Sequence, residues 1–164
     1  MDPKFIRAEE LGIRLEMVGG LPIWEPHPVW KHQKAVDRIR ATITRSGEAA
    51  GARQACACVH AGDVYISFPD WSLKRPDVAV FCQEPTEEDE PITLIPEAVI
   101  EVISKGYEAK DLEIGPRFYL SQGVKDVVVF DPYTLVVLHV RRDSVRRLVS
   151  PVAITLECGC SCSV

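Results

Sequence analysis

The chain has 164 residues, 46% of them hydrophobic and 26% charged, which is the composition of an ordinary globular domain. No apolar run approaches the roughly 20 residues of a membrane-spanning helix, and residues 1–11 carry charges throughout. We therefore predict a single cytoplasmic domain over residues 1–164, with no secretion signal and no membrane partner. The net charge of −5 argues against a protein that coats nucleic acid nonspecifically, because that requires clustered Lys and Arg.

The first half of the chain predicts a hairpin followed by a helix. Apolar residues alternate over residues 13–24 on both sides of Gly19-Gly20, a pattern typical of a β-hairpin with a tight glycine turn. Residues 29–45 have apolar side chains at helical spacing, opposite a basic face, and predict an amphipathic helix that Gly47 and Gly51 end.

The rest of the chain predicts a sheet. We expect strands at residues 55–59, 64–68, 78–82, 98–104, 127–131, 135–140 and 146–149. A helix is expected over residues 112–121, interrupted near its start by Gly115 and Pro116, and residues 83–91 form a charged, proline-containing loop. This order predicts an α/β domain, with a central β-sheet of mixed direction flanked by helices.

The six cysteines fall into two groups. Cys56, Cys58 and Cys82 lie in apolar surroundings and are expected to behave as small buried hydrophobic residues. Cys158, Cys160 and Cys162 alternate near the C-terminus and would share one face of an extended segment, where they could present thiolates to a soft metal. Their spacing is not that of a zinc ribbon, so we favour a frayed tail with incidental thiols.

Two carboxylates interrupt apolar strands, Asp77 before Val-Ala-Val and Glu101 within Val-Ile-Glu-Val-Ile. An ionised group in such a place is costly unless it is compensated. Two carboxylates on neighbouring strands could compensate each other through a shared Mg²⁺ or Mn²⁺, which takes oxygen ligands. The alternative is structural: Asp77 caps a turn after Pro76, and Glu101 pairs with a lysine.

An ordered series of short motifs resembles the Uma family of restriction endonucleases, within the PD-(D/E)XK nuclease superfamily. The series comprises Arg14-Leu-Glu16, Gly20, His32-Gln33, Arg75-Pro-Asp77-Val-Ala-Val, Glu101-Val-Ile-Ser104, Asp111, Tyr119, Gly123-Val124 and Asp131-Pro132. The resemblance extends from about Gly12 to Val140 in one collinear order. It implies a restriction-endonuclease-like core and metal-dependent hydrolysis of nucleic acid, most simply DNA.

The same resemblance assigns site residues. Asp77 matches the aspartate of the PD motif and Glu101 the acid of the (D/E)XK motif, so both are expected to be catalytic and to bind the metal. The lysine that should follow is missing, because Ile103 and Gly115 occupy its two usual positions. Lys105 is our preferred substitute, since residues i and i+4 of an extended strand share a face with Glu101. Lys110 and Arg117 are weaker alternatives.

Other residues leave two interpretations open. His32 could position a water or phosphate, or could simply pack at a helix end. Glu16 could be a further carboxylate of the site or a salt-bridge partner, and Tyr119 is expected to belong to the core. Three tryptophans could stack on bases, but we expect them to pack: Trp24, Trp30 and Trp71.

Two functions and a dimer are expected from these considerations. The first function is a metal-dependent endodeoxyribonuclease. The alternative is a catalytically inactive protein that keeps the nuclease fold for binding nucleic acid or protein, which the missing lysine and the acidic charge favour. An enzyme that cuts both strands with one site per chain commonly works as a symmetric homodimer, and residues 134–149 are the candidate edge.

Overall fold

The computed structural model of the chain describes residues 7–8, 10–46, 55–108 and 110–164. Within these ranges the strands are β1 (Leu15–Val18), β2 (Leu21–Trp24), β3 (Thr44–Arg45), β4 (Val59–Ala61), β5 (Ile66–Ser67), β6 (Leu73–Lys74), β7 (Val78–Phe81), β8 (Ala98–Val102), β9 (Asp126–Phe130), β10 (Val136–Arg141), β11 (Ser144–Val149), β12 (Ala153–Thr155) and β13 (Cys160–Ser163). The α-helices are α1 (Trp30–Arg40) and α2 (Gly115–Ser121). No helix in the described ranges has the length and apolar character needed to cross a membrane.

A mixed central sheet organises the fold, as predicted. Its six strands follow the order β11-β10-β9-β8-β7-β4. Strands β8 and β9 are parallel, whereas the other neighbours are antiparallel. Because a parallel pair needs a long crossover, the chain leaves β8 and returns through a π-helical segment, Lys110–Ile114, that runs directly into α2. Gly115 and Pro116 mark this change of helix type instead of a break.

Two smaller sheets flank the central one. The predicted N-terminal hairpin is present as β1 and β2, and both glycines of its turn have positive φ, 55° at Gly19 and 80° at Gly20. It is extended by β6 and β5 into a four-stranded sheet. The C-terminal residues form a third sheet, in the order β12-β13-β3, so the expected frayed tail is wrong. Backbone pairing with Thr44 and Arg45 fixes that tail.

The central sheet is covered on both faces, because alternate side chains of its strands enter two different cores. One core contains Val78, Val80 and Ile100, and it is closed by Val36 and Ile39 of α1 together with the C-terminal sheet. The other core contains Ala79, Phe81 and Val99, and it is closed by Phe118 and Tyr119 of α2. This double coverage explains the nearly continuous apolar runs in β7, β8 and β9.

Several predicted boundaries differ from the observed ones. Helix α1 starts as expected but ends at Arg40, because residues 44–45 pair with β13; Gly47 and Gly51 lie outside the described residues. The strand expected at residues 55–59 starts only at Val59, since Cys58 has a φ of 53° and cannot continue an extended run.

The cysteines and tryptophans also differ from expectation. Disulfides join Cys56 to Cys82 and Cys58 to Cys160, whereas Cys158 and Cys162 are free thiols. A sequence cannot give such pairings, because the partners are 26 and 102 residues apart. The tryptophans do not pack in a core: Trp24, Trp30 and Trp71 are 60%, 79% and 88% exposed.

A buried ionic network joins β9, β10 and the C-terminal segment. Asp126 is fully buried and accepts hydrogen bonds from Arg141 Nε at 2.6 Å and from the backbone N–H of Glu157 at 2.8 Å. His139 Nε2 lies 2.6 Å from the same carboxylate. Burial alone would raise the pKa of Asp126, but the bonds from His139 and Arg141 hold it below its usual value.

We predict that Asp126→Ala lowers the free energy of unfolding by about 3–5 kcal/mol, because it leaves the buried His139 and the partly buried Arg141 without their shared hydrogen-bond acceptor. Urea unfolding followed by circular dichroism measures the change. Lys125→Ala is the matched control, because Lys125 is half exposed and its pair with Glu97 should contribute about 1 kcal/mol or less. Equal losses in the two variants would contradict a structural role for the network.

Candidate active site

The register of β7 and β8 brings Asp77 and Glu101 together. Val78 pairs with Ile100 across the two antiparallel strands, so Asp77 precedes β7 at the point where β8 carries Glu101. The backbone N–H of Asp77 donates to Glu101 Oε2 at 3.1 Å, and the N–H of Val102 donates to Asp77 Oδ2 at 2.7 Å. Each carboxylate is therefore held by the backbone of the other strand.

Two further side chains orient this pair. His32, on the first turn of α1, places Nε2 3.1 Å from Asp77 Oδ2 and leaves a buried Nδ1 without a hydrogen-bond partner among the described residues. Tyr119, on α2, donates its hydroxyl to Glu101 Oε1 at 2.6 Å. The sequence assigned Tyr119 to the core; it is fully buried there, but it also contacts the predicted site.

The carboxylates destabilise one another's charge. Burial, followed by the charge of Asp77, raises the pKa of Glu101 well above its usual value. Burial also raises the pKa of Asp111 to about 6, and Asp77 adds to this shift. Burial would lower the pKa of His32, but its hydrogen bond to Asp77 raises it above the usual value. Burial and the neighbouring negative charge of Asp77 thus both disfavour ionisation of Glu101 and Asp111.

A second group of charges lies beside the pair. Glu16 of β1 is buried and accepts hydrogen bonds from Lys74 Nζ at 2.6 Å and from the N–H of Arg75 at 2.7 Å. Lys110 Nζ lies 3.3 Å from the same carboxylate and also pairs with Glu25. Burial would raise the pKa of Glu16, but Lys74 and Lys110 lower it. The sequence left Glu16 open as a further carboxylate of the site or as a salt-bridge partner, and the structure shows it in a salt bridge with Lys74.

A polar cavity opens onto these residues. Its wall is formed by three acids of the site, by His32 and by several cations, and it includes Asp77, Glu101, Asp111, His32, Lys110, Arg14 and Arg40. The segment between β2 and α1 supplies Glu25, Pro26 and Pro28 to the same wall. A ligand in the cavity would therefore meet both carboxylates and positive charge.

The residues proposed for the missing lysine lie in different places. Lys105 is exposed and is not part of the cavity wall, and Arg117 is exposed on α2. Lys110 reaches the cavity because the π-helical segment turns the chain back after β8. Ile103 is buried in the core beneath α2, and a Cβ at Gly115 would lie 3.3 Å from the backbone oxygen of Lys110 and 4.0 Å from the ring of Tyr119.

Sequence reasoning missed Lys74. It is 2% exposed, pairs with Glu16, and lies 5.3 Å from the ring centroid of Tyr119. Its charge also lowers the pKa of Glu101. A lysine in an otherwise apolar strand, three residues before Asp77, is the signal that could have identified it, because a buried lysine requires a partner.

A mixed sheet that presents an Asp–Glu pair at a polar cavity, with Glu101 buried and Asp77 partly exposed, is the arrangement of restriction-endonuclease-like nucleases. The family described as "Uma2: Putative restriction endonuclease" matches residues 2–157. The chain belongs to this family. The fold is also that of a crystal structure described as "a putative nuclease belonging to DUF820 from Anabaena variabilis ATCC 29413", with a TM-score of 0.63 and 23% identity over 85% of this chain and 79% of that one. No curated protein matches the sequence.

The raised pKa of Asp111 can be tested without any added metal ion. Because its pKa is raised from 3.8 to about 6, its contribution to stability is complete below pH 3.8 and is lost as the pH rises through 6. We predict that Asp111→Asn gains about 2 kcal/mol in unfolding free energy over wild type between pH 4 and pH 7.5. Urea unfolding in a chelator measures this, and a difference independent of pH would show that Asp111 is not strained by its surroundings.

Proposed function

We propose that the chain is a divalent-metal-dependent endonuclease that hydrolyses phosphodiester bonds of DNA. The observation that carries this proposal is the Asp77–Glu101 pair, which is held together by backbone hydrogen bonds between the two strands and opens onto a polar cavity. Membership of a family of restriction endonucleases supports the nuclease class. The metal, the substrate and the residue roles below are our proposals.

The donor chemistry of the pair fits Mg²⁺ or Mn²⁺. Carboxylate oxygens suit hard cations, which are commonly held by one or two carboxylates together with water and substrate phosphate. The raised pKa of Glu101 is what a carboxylate pair without its cation should have. When bound, the ion would supply Lewis-acid activation of the scissile phosphate and of the attacking water.

The surrounding residues would act by positioning. His32 and the N–H of Val102 both engage Asp77 Oδ2 and so fix the rotamer of that side chain. Tyr119 does the same for Glu101 through Oε1. Such supporting bonds hold the two carboxylates in one geometry, which is what metal ligands require. We therefore assign His32 to the orientation of Asp77 and not to a water or phosphate directly.

Lys110 is the cation that we propose for the developing negative charge. Lys110 is part of the cavity wall, and its ion pairs with Glu16 and Glu25 hold its side chain in place. Lys74 is too enclosed to meet a substrate and would serve as the counter-charge of Glu16. Lys105 stays the prediction from sequence, and the experiment below compares the two.

Exposed aromatic and basic groups near the cavity suit nucleic acid. Trp24 ends β2 and Trp30 begins α1, so both flank the segment that lines the cavity wall. Aromatic rings next to cationic grooves stack on unpaired bases. Arg14 and Arg40 in the wall could meet phosphates. Local positive charge of this kind is compatible with a net charge of −5.

The homodimer predicted from the sequence stays a prediction. Its candidate edge is β11, which ends the central sheet and exposes Val145 and Val149 with 68% and 66% of their surfaces open. The inactive binding protein is the competing function, and it is one outcome of the following experiment.

Cleavage of supercoiled plasmid with Mn²⁺ tests the proposal. We expect wild-type protein to nick the plasmid and Asp77→Asn to lose about 100-fold or more of the rate, because one metal ligand is neutralised without a change in shape. Lys110→Met should lose about 10-fold to 100-fold, whereas Lys105→Met should retain wild-type activity. A larger loss of rate in Lys105→Met than in Lys110→Met would instead assign this role to Lys105.

The controls separate an inactive protein from a contaminant. Lys125→Met changes an exposed residue that is not part of the cavity wall, and the variant should cleave like wild type. Equal cleavage by wild type and Asp77→Asn would identify a contaminating nuclease. Absence of cleavage by well-folded wild type, combined with retained binding to DNA, would favour the non-catalytic alternative.

A further inference from the structure

The cysteines converge on one point at the end of β7 remote from the active site. Cys56 Sγ lies 3.5 Å from Cys160 Sγ, and the sulfurs of Cys56, Cys158 and Cys160 all lie within 4.8 Å of one another. Cys82 is bonded to Cys56, and Cys58 is bonded to Cys160. Five sulfur atoms therefore gather in one cluster, which we call the thiol cluster.

The two disulfides do not explain why a fifth sulfur lies in the thiol cluster. They use four of the sulfurs and leave the thiol of Cys158 beside them. The cluster also joins three separate segments: residues 55–58, the end of β7, and the turn before β13. Among the described residues, this is the one group of three or more potential ligands close enough to share a metal ion.

The spacing suits a tetrahedral thiolate site. A zinc ion with four Zn–S bonds of about 2.3 Å has sulfurs about 3.8 Å apart. The sulfurs of Cys56 and Cys160 are already 3.5 Å apart, and that of Cys158 lies within 4.8 Å of both. Cations also lie nearby to offset the charge of four thiolates. Arg45 Nε donates to the carbonyl of Cys56 at 3.0 Å, and Lys125 is close enough to Cys158 for the sulfur to influence its pKa.

We propose that the reduced protein holds one Zn²⁺ at the thiol cluster through Cys56, Cys158, Cys160 and either Cys58 or Cys82. The two disulfides are then the oxidised, metal-free form of the same cluster. Each disulfide accepts two electrons and two protons from a dithiol reductant to give two thiols. Binding of Zn²⁺ afterwards releases the protons of the thiols that become ligands.

The site would be structural and separate from the nuclease chemistry. It lies at Cys82, five residues along an extended chain from Asp77, or roughly 16 Å. It would fasten the C-terminal sheet to the central sheet. Cys162 is the cysteine that neither disulfide nor the group of three neighbouring sulfurs includes, and burial raises the pKa of its thiol to about 12.

Cobalt substitution tests the proposal, because tetrahedral Co²⁺–thiolate complexes have charge-transfer and d–d absorption that carboxylate sites lack. The full chain is reduced with a dithiol, freed of metal and titrated with Co²⁺ in an Asp77→Asn background. We expect thiolate absorption that saturates at one ion per chain and is displaced by Zn²⁺. Cys158→Ser should lose it, whereas Cys162→Ala should keep it. Serine variants of Cys58 and Cys82 identify the fourth ligand.

Thiol protection gives a second readout that needs no variant. With the reduced wild-type chain, Zn²⁺ should slow alkylation of Cys56, Cys158 and Cys160 by N-ethylmaleimide at least 10-fold, as mapped by mass spectrometry. Absence of thiolate absorption in reduced protein would overturn the proposal. So would unchanged absorption in a folded Cys158→Ser variant, or alkylation equally fast with and without Zn²⁺.

Discussion

The candidate site depends on one local constraint, the reciprocal hydrogen bonding between Asp77 and Glu101 across β7 and β8. The backbone at Asp77 binds the side chain of Glu101, and the backbone at Val102 binds the side chain of Asp77. A change of register by one residue would turn both side chains to the opposite face of the sheet. The two covered faces prevent such a slip, because it would exchange Val78 and Val80 with Ala79 and Phe81 between the cores.

Holding these acids together is electrostatically unfavourable, and residues of the surrounding elements bind or neutralise them. Burial of Glu101 and the nearby charge of Asp77 raise the pKa of Glu101, and burial together with the charge of Asp77 also raises the pKa of Asp111. The N-terminal sheet contributes Glu16, whose charge is matched by Lys74 and Lys110. Helices α1 and α2 contribute His32 and Tyr119, one for each carboxylate. Parts of the chain that are far apart in sequence therefore meet around one pair of acids, and a cation bound there would offset their charge.

The two acids and the central strands could be predicted from the sequence, for a physical reason. Asp77 and Glu101 stand out because each interrupts an apolar strand that needs burial on both faces, and the strands β7, β8 and β9 are visible by the same pattern. Contacts between distant segments were not visible. The pair of Glu16 and Lys74 spans 58 residues and joins two strands of the N-terminal sheet, and no local pattern encodes it.

The same limit applies to the loop after β8 and to the cysteines. Alternation along an extended strand favoured Lys105, but the chain leaves the strand after Val102 and turns into a π-helical segment that carries Lys110 to the cavity. Composition alone predicted a frayed C-terminal tail. The tail is ordered because Cys160 pairs with β3 through its backbone and forms a disulfide with Cys58.

The central claim is that Asp77 and Glu101 share a metal ion, and anomalous diffraction from crystals soaked in Mn²⁺ tests it most directly. We predict one anomalous peak in the cavity, about 2.1 Å from a carboxylate oxygen of each residue. The peak should be absent in Asp77→Asn crystals treated in the same way. A wild-type structure at saturating Mn²⁺ with no peak between the two carboxylates would contradict the account.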